Sequence, residues 1–326
     1  MSNSYEELSN LITEKINKLN FIKEPESLYI PVDYCLKNGG KRIRPLMTLL
    51  GCKLFGGNTD DAVNAAIGLE LLHNFTLMHD DIMDEAPIRR GQPSVYKKWG
   101  TNTAILSGDA MLVLAYNHIL EVPEDKLKAI LEVFNTSITE VCEGQQYDMD
   151  FETRKIVSED EYLNMIRLKT AVLPANCLKI GAMISGNASE EDIFNLYKFG
   201  EYFGLAFQIQ DDWLDIYSDE KVFGKKTGGD ILAKKKTWLF IKALSKADDK
   251  LKKTLTDAFY SDCLENNEKI SIVKSVYNAL NISNIAIREI ELYFNQALSY
   301  LDKINVDDED KKPLRDLAKG LMNREY

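Results

Sequence analysis

No proline falls between Pro174 and Pro313, and the chain of 326 residues has only eight, at 25, 31, 45, 87, 93, 123, 174 and 313. Proline removes a backbone donor and clashes with the preceding turn, so its absence leaves long segments able to stay helical. Period-two alternation and Asn-Gly hairpin signals are scarce, while apolar residues recur at helical spacing. The chain therefore reads as all-α. Helices are expected over 5–19, 27–38, 42–55, 60–84, 101–119, 125–150, 159–173, 175–186, 190–218, 235–246, 249–259, 268–281, 284–303 and 309–324. Asn58-Thr59-Asp60 and Ser158 are candidate N-caps, and Ser158 with Glu161 spells a capping box. No Gly/Ser-rich linker, composition shift or short repeat divides the chain, so residues 1–326 are read as one domain.

Two clusters share the spelling D-D-x-x-D, and each follows an apolar helical stretch. Asp80-Asp81-Ile82-Met83-Asp84 follows Leu69 to Met78, and Asp211-Asp212-Trp213-Leu214-Asp215 follows Phe203 to Ile209. Residues four apart share a helix face, which pairs Asp80 with Asp84 and Asp211 with Asp215. Asp212 lies about 100° round the helix from Asp211. One such cluster would be explained as a solvated helix end. Two, each with basic residues just downstream, point to Mg²⁺ bridging carboxylates to a substrate phosphate. The repeated pattern of long helix, aspartates and basic loop suggests two halves facing one cavity.

The basic residues are local. Arg89-Arg90-Gly91 follows Pro87, which should end the first acidic helix, and arginines there suit bidentate phosphate contacts. Gly39-Gly40-Lys41-Arg42-Ile43-Arg44-Pro45 opens an apolar helix, where glycines let backbone approach an anion and Lys41 and Arg44 could converge. Lys169-Thr170 precedes Pro174, so a kink is expected near Lys169. The loop 224–230, with Lys225, and the run Lys234-Lys235-Lys236-Thr237 read as a basic lid beside the second cluster. His73 shares a face with Asp80, Gln208 shares one with Asp211, and Gln145 with Asp148 are three apart on one helix. Taken singly, each is ordinary surface charge or a satisfied core residue; the concentration around two acidic clusters favours phosphate binding.

A net charge of −11 argues against nucleic acid or an anionic membrane as partner. The five cysteines (35, 52, 142, 177, 263) form no paired spacing, as expected of reduced thiols in a cytoplasm, and the three histidines form no zinc pattern. The amino terminus lacks a signal peptide's basic and apolar regions, and no run of 18 apolar residues could span a membrane.

In order, GGKRIRP, LLHNFTLMHDDIMD, RRG, GQQYD, KT, FQIQDDWLD, GKKTGGD and KKT resemble the trans-isoprenyl diphosphate synthases, which include farnesyl and geranylgeranyl diphosphate synthases. The resemblance covers nearly the whole chain. It implies an all-helical fold around a deep central cavity, a homodimer, and Mg²⁺ dependence with three ions when substrate is bound. It assigns two ions to Asp80 and Asp84 and the third to Asp211. It implies that Arg89, Lys169 and Lys225 hold an allylic diphosphate, with Thr170, Gln208 and Lys235 lining that side. Lys41, Arg44, His73 and Arg90 are implied to hold isopentenyl diphosphate. The family's basic tail is reduced here to Asn323-Arg324-Glu325-Tyr326. Two other readings compete. A terpene cyclase resembles the chain in one D-D-x-x-D only, and DDWLD and GGKRIRP count against it. A non-catalytic regulatory subunit of a prenyl synthase usually loses an aspartate cluster; both are intact here.

Product length should depend on side chains upstream of Asp80. Phe75 is five residues before it, about 7.5 Å along the axis. In the family, an aromatic there, a small residue next (Thr76) and no insertion in the cluster resemble C20 synthases; C15 enzymes usually pair two aromatics. Phe75 lies about 140° and Thr76 about 40° from the Asp80 face, so Phe75 would reach a product tail obliquely. Geranylgeranyl diphosphate is thereby favoured over farnesyl diphosphate.

Overall fold

The computed structural model of the chain describes residues 3–218 and 227–322. Lys225 and the tail 323–326 lie outside the described residues. Helices dominate, as the sparse prolines require: α1 (Asn3–Asn17), α2 (Glu26–Lys37), α3 (Ile43–Leu54), α4 (Thr59–Met83), α5 (Val95–Trp99), α6 (Thr101–Ile119), α7 (Glu124–Thr153), α8 (Glu159–Ile166), α9 (Val172–Ser185) and α10 (Glu190–Tyr217). They continue with α11 (Gly229–Leu232), α12 (Trp238–Lys246), α13 (Asp249–Tyr260), α14 (Asn266–Ala279), α15 (Ile282–Lys303) and α16 (Asp308–Met322). The fold class is all-α. Asn58 caps α4 by accepting from the Asp60 amide. Ser158 and Glu161 form the reciprocal capping box of α8.

The structure differs from the sequence expectation in several places, among them the short helices α5 and α11, where no helix was expected. A two-stranded turn, β1 (Ile88–Arg89) with β2 (Gln92–Pro93), stands where only loop was expected. Its central residues Arg90 and Gly91 have φ 53° and 75°, the positive pair of a type I′ turn. The kink expected near Lys169 is a π-helical turn over Arg167–Ala171 between α8 and α9. There the Val172 amide reaches back five residues to the Arg167 carbonyl. Finally, the helix expected from 235 begins at Trp238, because Lys234 takes φ 55° and breaks the chain direction after α11.

The chain divides into two compact units: residues 1–138, 176–197 and 304–317, and residues 139–175, 198–303 and 318–326. In the first, α4 runs through the core. Ala62, Ala65, Ala66, Leu69, Leu71 and Leu72 are buried along it, and α6 packs on it through Ala104, Met111 and Ala115. The second unit is built round Trp238, Phe240, Phe259 and Tyr277, with Phe240 and Phe259 stacked at 3.8 Å between ring centroids.

Candidate active site

In the first unit, α4 ends at Met83 and not at the proline. The Ala86 amide bonds the Asp81 carbonyl and the Glu85 amide bonds that of Ile82, with Glu85 at φ 50°. This is a Schellman closure with Glu85 in the left-handed position. The cluster is thus split by environment. Asp80 is half-buried, Asp84 is the exposed C-cap, and Asp81 is buried at 3% exposure. Arg89, on β1, donates to Asp81 Oδ1 through Nε at 2.8 Å and Nη2 at 2.5 Å, and Nη2 lies 3.6 Å from Asp80. Burial opposes the Arg89 charge, but the carboxylates of Asp81, Asp80 and Asp84 hold its pKa above the ordinary value. Asp81 is therefore a counter-ion that fixes Arg89 beside Asp80.

The GGKRIRP loop carries a second cationic group in the same unit. Arg90 donates from Nη1 to the Gly39 carbonyl, and its guanidinium lies where a Cβ on Gly40 would sit. Arg44 Nη1 lies 3.0 Å from His73 Nε2. Burial, then Arg44, Arg90, Arg89 and Arg42, push the His73 pKa well below its ordinary value, so the ring is neutral. Arginine can only donate, so Nε2 accepts from Arg44, which leaves the proton on Nδ1. Arg44 Nε is buried without a hydrogen-bond partner in the protein. Lys41 is exposed at the mouth of the loop. Arg42, the basic residue between Lys41 and Arg44, is structural. It has φ 48°, donates to Glu70 at 2.6 Å and to the Leu36 carbonyl, and is 8% exposed against 2% for Glu70. Spacing alone does not distinguish it from its neighbours; it is the N-cap of α3, in the left-handed conformation, and its side chain is turned inward to Glu70.

In the second unit, the π turn presents Lys169 to Asp148 at 2.6 Å and Thr170 to Gln208 Oε1 at 3.0 Å. A Cβ on Gly144 would collide with the Lys169 backbone, so the glycine of GQQYD permits the close approach of α7 to that turn. Of the second cluster, Asp211 is half-buried while Asp212 is 4% exposed. Asp212 accepts from Tyr162 Oη at 2.5 Å, the Trp238 amide at 3.1 Å and Gln208 Nε2 at 3.2 Å. Burial raises its pKa to about 7 against those donors. Asp215 accepts from the amides of Gly229 at 3.2 Å and Asp230 at 3.1 Å, and so anchors the start of α11. Lys235 is half-buried and, with Lys169, Thr170, Gln208 and Asp212, lines a cavity of about 90 Å³. Tyr162 and Trp238 were not legible as site residues, because they meet Asp212 across 50 and 26 residues of chain. Lys236 also lines that cavity, but its ammonium is committed to the carbonyls of Phe151 and Glu152 at the end of α7.

Among the described residues no group of three or more His, Cys, Asp or Glu is gathered as a closed metal cage. The donor chemistry fits a different mode. The carboxylates at positions 80, 84 and 211 are half-buried or exposed, while Asp81 and Asp212 are committed inward. Mg²⁺ is normally held by one or two carboxylates and completed by water and substrate phosphate, which suits such a set.

The polyprenyl synthetase family model matches residues 25–280. A geranylgeranyl diphosphate synthase of Methanosarcina mazei is 37% identical over 320 residues, covering 98% of this chain and 96% of that protein. A short chain isoprenyl diphosphate synthase of Methanothermobacter thermautotrophicus is 42% identical over 243 residues, covering 74% of each. The crystal structure of geranylgeranyl pyrophosphate synthetase from Pyrococcus horikoshii superposes with TM-score 0.91 at 35% identity, covering 99% of this chain and 100% of that one. Fold and relatives define an all-α prenyltransferase of the short-chain isoprenyl diphosphate synthase class. The chain belongs to the polyprenyl synthetase family.

Proposed function

We propose that the protein condenses isopentenyl diphosphate with an allylic diphosphate and releases geranylgeranyl diphosphate in preference to farnesyl diphosphate, working as a single synthase domain. The observation that supports two diphosphate sites is the separation of partners in the first unit. Arg89 is tied to the aspartate cluster, whereas Arg44, His73 and Arg90 are gathered round the glycine loop. The C20 product is supported by relatives named for it and by Phe75 before the first cluster.

In this reading Arg89, Lys169 and Lys225 hold the allylic diphosphate, with Thr170, Gln208 and Lys235 alongside. Lys41, Arg44, Arg90 and the Nδ1–H of neutral His73 hold isopentenyl diphosphate. Three Mg²⁺ ions, held by Asp80, Asp84 and Asp211 with substrate bound, would supply charge neutralisation for the leaving diphosphate. Arginine and lysine donors stabilise the negative charge that develops as the allylic C–O bond breaks. The double bond of isopentenyl diphosphate then attacks the allylic cation, and a proton leaves to the departed diphosphate.

The proposal includes a cytoplasmic homodimer. Leu106 and Val113 on α6 and Leu120, its C-cap residue, are exposed at seven-residue intervals, with Ile105 beside them, an apolar stripe suited to a second copy. No described helix is long and apolar enough to cross a membrane.

The test is incubation with Mg²⁺, isopentenyl diphosphate and dimethylallyl, geranyl or farnesyl diphosphate, followed by sizing of the products. Accumulation of C20 diphosphate from all three starters is expected. Hydrocarbon made from the allylic substrate alone would mean a cyclase. Arrest at C15 would overturn the length assignment.

A further inference from the structure

We infer that His79 is a positioning residue for product length, holding the Phe75 ring in place as the floor under the growing tail. The inference rests on the reading of Phe75 as that floor. Position 79 is four residues after 75, so the two side chains share a face of α4, and helical side chains lean toward the preceding turn. The His79 ring accordingly lies over Phe75, with ring centroids 4.7 Å apart and planes at 61°, an edge-to-face contact. Phe75 is 9% exposed, so little of its ring is open to water.

His79 is itself held from α6. Its Nε2 lies 3.2 Å from the Ile105 carbonyl oxygen, which it meets as a donor when the proton is on Nε2. Beneath the ring is Gly108, where any Cβ would collide with Nε2 and Cδ2. The carboxylate of Asp109 is 3.9 Å from Nε2 and mostly exposed, a peripheral contact. The imidazole is therefore bounded by Phe75, by a carbonyl it bonds, and by a glycine that makes room for it.

The consequence concerns the direction of the Phe75 ring. Backbone geometry places Phe75 well off the face that carries Asp80, so its effect on a tail depends on which rotamer it keeps. Helical χ1 has two ordinary wells, and the His79 ring packed against the Phe75 ring restrains the change from one to the other. Without His79 the floor loosens while the aspartates and cations are untouched. A histidine packed only as filler between α4 and α6 would affect stability and not product length.

The test uses the full-length enzyme and reads the ratio of products longer than the main wild-type product to that product. Phe75→Ala should raise the ratio. His79→Ala and Gly108→Ala should each raise it roughly threefold or more, the scale of losing one edge-to-face aromatic contact. The double variant Phe75→Ala/His79→Ala should be no longer in product than Phe75→Ala alone, because both changes act through one ring. His79→Phe, which returns an aromatic ring, should restore the ratio in part. Gly68→Ala is the packing control. Gly68 also lies on α4 against α6, 3.0 Å from the Ala115 carbonyl for an added Cβ, and its variant should leave the ratio unchanged. If Phe75→Ala lengthens the product but His79→Ala and Gly108→Ala do not, the positioning role is overturned and the floor reading stands. Additive lengthening in the double variant overturns it as well. An unchanged ratio in Phe75→Ala removes the floor and the inference together. Gly108→Ala, with the wild-type imidazole retained, keeps the test decisive if His79→Ala does not fold.

Discussion

Asp212→Ala should damage the protein in a different way from Asp211→Ala, although the two residues are adjacent in one motif. Asp212 accepts from the Tyr162 hydroxyl, the Trp238 amide and Gln208. Truncation leaves the first two donors buried without an acceptor, at about 1–3 kcal/mol each. Gln208 is half-buried and can turn to water, so it adds little. Removing a carboxylate whose pKa burial has raised to about 7 returns part of the loss above that pH. The net expectation is a destabilisation of about 2–4 kcal/mol. With an m-value on the order of 3 kcal/mol/M for a chain of this size, the urea midpoint should fall by about 1 M. Circular dichroism through a urea series measures it. Asp212→Asn, which keeps one carbonyl oxygen for Tyr162 or Trp238, should fall between. Asp211→Ala should leave the midpoint near wild type and lose turnover by several kcal/mol of transition-state stabilisation, on the order of a thousandfold. If Asp212→Ala kept the wild-type midpoint and lost as much turnover per folded molecule as Asp211→Ala, Asp212 would be a ligand and this account of it would be wrong.

Three further outcomes are expected. Lys41→Ala and Arg44→Ala should raise KM for isopentenyl diphosphate more than for the allylic partner in steady-state titrations, and an allylic-only defect would reverse the assignment of the two diphosphates. Because the His73 pKa is depressed in the folded state, the unfolded chain takes up its proton first as pH falls. The stability that His73 contributes is thus present above about pH 6.5 and is lost as pH falls below it; His73→Gln should flatten that part of the urea-midpoint profile between pH 7 and 5. Gly144→Ala should force the Lys169 backbone from its seat and lower turnover at least tenfold while α-helical content is retained, since the collision is with main chain that cannot swing aside.

Much of this arrangement is legible from local chemistry. Sparse prolines and helical periodicity indicate the long helices, and Ser158 with Glu161 sits where a capping box requires. The hairpin at Arg90-Gly91 escapes because its positive-φ pair is not the usual Asn-Gly, and only Gly91 hints at it. Spacing marks Lys41, Arg42 and Arg44 alike as basic; burial separates them, and it depends on Glu70, far along the chain. The two aspartate motifs are spelled identically yet diverge in use. Asp81 binds an arginine eight residues on, whereas Asp212 waits for Tyr162 and Trp238 from distant helices. Helical arithmetic places both off the metal face; it does not say what receives them.

The π turn at Arg167–Ala171 also has a meaning as register. One residue more than a regular helix needs is absorbed between Ile166 and Val172, so that α8 and α9 follow one another without a break while the residues between are wound more widely. A chain one residue shorter there would recover an uninterrupted ladder and a more regular helix. The same deletion would rotate Lys169 by about 100° relative to one of its flanking helices and take it from Asp148 and from the opening beside Gln208. The widened turn is thus an inserted residue retained in a helix: regularity is given up at one point so that a lysine and the threonine after it can face the same side.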